Sequence, residues 1–98
     1  MAVKRRHKVP FLAIGGIRKE RQRVIEALLE EINALLGLKD DRVVTVMSYR
    51  PGRERLYQVV VKDLKNGVET PLSPWFTNAR ELEDALHLTR NVLRLMHR

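Results

Sequence analysis

Between Arg42 and Ser73 lie two alternating apolar runs, Val43 to Arg50 and Arg55 to Leu64, and they constrain the fold more than any other feature. Alternation with a period of two marks extended strands with one apolar side. Pro51-Gly52-Arg53-Glu54 separates the runs, and Asn66-Gly67 after the second is a strong short-range hairpin signal. Three short antiparallel strands joined by two turns are expected, with helical patterns on either side.

Turn length decides which side chains share a face. A two-residue turn at Pro51-Gly52, or a four-residue one from Pro51 to Glu54, puts even positions of the first strand beside odd positions of the second. Val44, Val46, Tyr57, Val59 and Val61 then form the core face, joined by Val68 and Leu72 across the Asn66-Gly67 turn. Thr45, Met47, Tyr49, Gln58, Val60, Lys62 and Ser73 fall on the opposite side, where a ligand is expected. A three-residue turn would exchange the faces of one strand.

Before the strands, Val24, Ile25, Leu28, Leu29, Ile32, Leu35 and Leu36 recur at three and four residues, which predicts a core helix over 17–36 stopped at Gly37. Its first turns carry Arg18, Lys19, Arg21 and Arg23, the end where the helix dipole disfavours cations. Either Glu20 and Glu26 compensate them or they serve something outside the helix.

After the strands, Asn78 followed by Glu81 reads as a capping box, with Thr77 as the alternative cap, and opens a helix to about Met96. Leu82, Ala85, Leu86, Thr89, Val92, Leu93 and Met96 form its main stripe. Leu88 and Leu95 widen that stripe beyond what one sheet face requires, so a homodimer through this helix is expected. The fold expected is α+β, in the order helix, three-stranded antiparallel meander, helix (α-β-β-β-α), with the helices on one sheet face. Residues 1–16 form a basic arm with a possible short edge strand, and 17–98 a single domain.

Ninety-eight residues suffice for one core, burying roughly 60 to 70% of the surface of the unfolded chain. The 44% hydrophobic and 32% charged residues make a globular balance rather than a disordered one. There is no cysteine, which excludes disulfides and thiolate chemistry and fits a reducing, cytoplasmic setting. Val9 to Ile14 is short and interrupted by Pro10, so neither a secretory signal nor a membrane span is expected.

Catalytic patterns are thin. His7, His87 and His97 belong to no HExxH or Cys/His spacing. Asp84 and His87 stand one turn apart, which fits an ordinary helix pair better than an acid/base dyad. Ser48 and Ser73 lack a nucleophile elbow, and Gly15-Gly16 lacks the rest of a phosphate-binding loop. No enzyme activity, metal or cofactor is expected.

Charge points elsewhere. Lys and Arg number 19 against 12 Asp and Glu, a formal excess of +7 that attracts polyanions. Lys4, Arg5, Arg6 and Lys8 form a basic arm, and Arg50, Arg53 and Arg55 cluster at the first hairpin. Tyr49, Trp75 and Phe76 can stack on unpaired bases while these cations and Lys62 follow the phosphates. For Trp75-Phe76 the competing reading is a hydrophobic plug at the end of the core, and one ring can do each job. The basic edge of the last helix, His87, Arg90, Arg94 and Arg98, is what the helix dipole favours without any ligand.

The order helix, three strands, helix resembles the double-stranded-RNA-binding domain in topology. That family carries Gly and Lys at the start of its second helix, where this chain has Thr77-Asn78-Ala79-Arg80-Glu81-Leu82-Glu83-Asp84. Acids there oppose phosphate binding, so the resemblance stops at element order. The strand-strand-helix rhythm from Tyr57 to Leu93 is similar to that of small arm-type DNA-binding modules, a pattern shared by many folds.

The expected function is therefore non-enzymatic binding of single-stranded DNA or RNA. The alternatives are a regulatory module docking on an acidic protein surface, and a regulator that binds double-stranded DNA.

Overall fold

A computed structural model describes residues 17–39 and 41–97. Helix α1 spans Lys19–Leu36, strands β1, β2 and β3 span Arg42–Tyr49, Leu56–Asp63 and Glu69–Pro71, and helix α2 spans Ala79–Met96. The three strands form one antiparallel sheet in the order β1-β2-β3, with both helices packed on it. The α+β meander between two helices is thus present as expected. The arm and the possible edge strand at 1–16 lie outside the described residues.

Tyr49 pairs with Leu56, the register of a four-residue turn from Pro51 to Glu54 with Arg50 and Arg55 left out of the ladder. Val44, Tyr57 and Val59 consequently enter the main core, and Val46 and Val61 pack against it. The second connection is longer than its Asn66-Gly67 signal implies. Asp63 and Val68 close a loop of four residues in which Gly67 sits at φ 76° and Asn66 Oδ1 accepts from Val68 N–H. Because four differs from two by an even number, the faces are conserved.

Helix α1 buries Ile25, Leu28, Leu29 and Ile32 as its spacing predicts, and Gly37 ends it at φ 60° with its N–H on the Asn33 carbonyl. Val24 and Leu36, read as core positions, are exposed instead. Asn33 takes a core position between them in sequence. Its side-chain Nδ2 donates to the carbonyls of Leu29 and Val44, and its Oδ1 accepts from Val44 N–H.

In α2, Asn78 Oδ1 accepts from Glu81 N–H, as the capping signal predicts, and Leu82 and Leu86 reach the centre of the core. Two ion pairs cross between the helices. Arg21 meets Glu83 and Glu31 meets Arg94, at sequence offsets of 62 and 63, so the helices run parallel. Arg21 therefore serves a tertiary contact outside its own helix.

Helix α1 packs on β1 and α2 on β2, and neither helix packs on β3. Val68 and Leu72 do share the parity of the core face but remain exposed, because no described element covers that strand. Strand β3 ends at Pro71. Neighbouring backbone bonds from Asp63 to Val68 and from Leu72 to Val59 show that Pro71, between bonded positions, turns its missing donor to the open edge.

Candidate nucleic-acid interface

The end of the sheet where β1 passes into β2 gathers most of the residues singled out by charge and aromaticity. Tyr49 is the last residue of β1 and lies on the face away from the helices. Its ring centroid is 6.0 Å from that of Trp75, with the planes tilted by 48°. Both rings meet solvent, Tyr49 at 53% and Trp75 at 40% of its surface.

Trp75 is held there by the chain that leaves β3. Leu72 N–H donates to the Val59 carbonyl, Val59 N–H donates to Ser73 Oγ, and Gln58 Nε2 donates to the Ser73 carbonyl. Phe76 then re-enters the ladder, exchanging both backbone bonds with Tyr57. The three residues between Leu72 and Phe76 bulge outward, and Trp75 sits on this bulge. Phe76 itself is partly buried and packs against the core. The two adjacent rings divide the roles: Phe76 plugs the core and Trp75 stays at the surface.

The loop of residues 50–55 supplies three guanidinium groups beside this ring pair. Arg50 Nε donates to the Gly52 carbonyl at 3.2 Å, and Arg55 Nη1 donates to Ser48 Oγ at 3.0 Å. Arg53 is exposed at the loop tip. These bonds bend Arg50 and Arg55 back towards the strand ends, where like charges gather with only Glu54 among them. Such a cluster gains from an anion that screens it.

Other expectations are corrected. The face away from the helices is not open along its length, since Thr45, Gln58 and Val60 are buried and Met47 is half-buried. The returning chain at Ser73 covers its Gln58 end, and the accessible part is the end at Tyr49. Lys62 shares that face but stands six residues along β2 from the Tyr49 pairing position, roughly 20 Å away at ~3.3 Å per residue. It lies directly across from Glu69, an opposite charge. Lys62 is therefore not part of the cluster, while Lys4, Arg5, Arg6 and Lys8 lie outside the described residues.

On α2, His87 Nε2 lies 3.4 Å from Glu83 Oε2, and the same carboxylate holds Arg21. His87 is thus partnered by Glu83 rather than Asp84, and the group joins two helices. Among the described residues no helix is long and apolar enough to cross a membrane.

No protein-family model, curated protein or solved structure matches this chain.

Proposed function

We propose that the protein binds single-stranded DNA or RNA without catalysing a reaction, at the sheet end formed by Tyr49, Trp75, Arg50, Arg53 and Arg55. The observation that carries this reading is the solvent-facing Tyr49–Trp75 ring pair beside the arginine loop. Bases stack on exposed aromatic faces whatever their sequence, at about 1 to 3 kcal/mol per base, and guanidinium groups take the phosphates. A duplex keeps its base faces inside the stack, so the rings favour unpaired strands.

The tilt of the two rings also bears on the mode. They already touch each other and leave no parallel slot between them, so a base stacks on an outer face. A formal charge of +7 adds long-range attraction to any polyanion and speeds encounter.

Trp75 is the only tryptophan, so its emission reports from the site itself. Titration with an unlabelled single-stranded oligonucleotide at low salt is expected to quench or shift that emission in a saturable way. Saturable binding with unchanged emission would remove the ring pair from the interface. Recovery of a stoichiometric protein partner after nuclease treatment, with no oligonucleotide binding, would instead support docking on an acidic protein.

A further inference from the structure

Helix α2 has a second apolar stripe that its own fold leaves uncovered. Leu88, Val92 and Leu95 follow at i, i+4 and i+7, and are 65%, 45% and 61% exposed. Met96 beyond them is 72% exposed. Glu83 and Arg94, which pair with α1, mark the side of α2 that faces the other helix. At 100° per residue the stripe lies about 120 to 180° around the helix from that side. It therefore occupies the flank of α2 away from α1.

The same flank continues onto the sheet. Because α1 packs on β1 and α2 on β2, strand β3 lies on the far side of α2 from α1, and no described helix packs on it. Val68 and Leu72 point to the helix side of that strand and are exposed. Packed helices stand ~8 to 10 Å apart and strands ~4.8 Å apart, so a helix laid beside α2 sits above β3 and its open edge.

We infer that a second copy of this chain fills this gutter, its α2 running antiparallel to the first about a two-fold axis near Val92. Two features of the surface select a second copy. One is area: the six exposed side chains amount to roughly 600 Å² per copy, at the upper limit of what a monomer leaves open and close to the ~800 Å² per partner of a standard interface. The other is charge. Helix α2 begins with the exposed carboxylates Glu81 and Asp84, and past its end come His97 and, in the sequence, Arg98. Antiparallel copies set each acidic start towards the basic end of the other and oppose their helix dipoles; parallel copies would do the reverse. The stripe is self-complementary in this arrangement, with Leu88 facing Leu95 and Val92 close to its own equivalent, as a two-fold contact demands.

The interface leaves the Tyr49 and Trp75 rings on a different part of the molecule, so its test needs no nucleic acid. Sedimentation of the full chain at ~10 to 100 µM is expected to give a dimer. Leu88→Lys should raise its dissociation constant at least tenfold, whereas Val24→Lys, the same change at an exposed site on α1, should leave it within about twofold. The chain has no cysteine, so Val92→Cys tests the axis directly. Mild oxidation should give a covalent dimer from Val92→Cys and little from Val24→Cys, since a disulfide needs Cα atoms within ~7 Å. This second readout stands even if Leu88→Lys fails to fold. A monomer throughout the concentration range, a dimer split equally by both lysine variants, or no preferential cross-linking at position 92 would overturn the inference.

Discussion

The side-chain amide of Asn33 pairs with both backbone groups of Val44, donating to its carbonyl at 2.9 Å and accepting from its N–H at 2.7 Å. One helix residue thereby occupies the outer edge of β1 as a neighbouring strand would, and fastens α1 to the sheet. A buried polar group left without its partner costs about 1 to 3 kcal/mol. Asn33→Ala abandons both groups of Val44, and chemical denaturation should show a loss of about 2 to 4 kcal/mol. A loss below ~0.5 kcal/mol, the range of surface substitutions, would mean that the pairing does not hold the helix in place.

Phe76 and Trp75 adjoin in sequence but separate in their surroundings, and this predicts opposite phenotypes. Phe76→Ala should lower stability by about 2 to 4 kcal/mol, because its ring packs on the core. Trp75→Ala and Tyr49→Ala should change stability little, yet each should cost about 1 to 3 kcal/mol of single-strand affinity. Thermal melts alongside oligonucleotide titrations distinguish the cases. Trp75→Ala that melts early and binds normally would make Trp75 a structural residue.

The arginine loop should affect affinity through salt. Replacing Arg53 or Arg55 with Ala should reduce the slope of log affinity against log salt by about 0.7 for each phosphate contact removed. Stability should stay within ~0.5 kcal/mol, because the loop lies outside the core. A slope unchanged in both variants would place the phosphate contacts elsewhere.

The ion pair of Arg21 with Glu83 spans the two helices but is partly solvated on both sides. A double-mutant cycle to Ala should return a coupling of about 0.2 to 1 kcal/mol that shrinks as salt is added. A coupling well above that, insensitive to salt, would show a buried clamp rather than a surface one.

Much of the architecture was legible in the residues, since alternation and turn chemistry are local. Pro51 to Glu54 set the β1–β2 register through four residues, and the loop after Asp63 kept the faces because its length is even. Asn78 marked the start of α2 through a bond three residues away. Other features depend on contacts between distant segments. Asn33 looks like a polar interruption of an apolar stripe, and its role exists only once β1 presents a free edge beside it. Val68 and Leu72 carry the parity of buried residues, but parity says which side a residue faces and not whether a helix lies above. The closing of the opposite face around Gln58 likewise needs the return of the chain at Ser73. At the candidate site, Tyr49 and the arginines were recognisable by type and position. The separation of Lys62 from them became visible only when β2 was laid out along its length.

The central claim is single-strand binding at the Tyr49–Trp75 end of the sheet. Fluorescence anisotropy with labelled single-stranded and duplex oligonucleotides, at ~50 and ~200 mM salt, tests it most directly. The single strand should bind more tightly than the duplex, and its affinity should fall roughly a hundredfold or more over that range, as expected for several phosphate contacts. Micromolar or weaker binding of every oligonucleotide at the lower salt, or binding indifferent to salt, would contradict the claim.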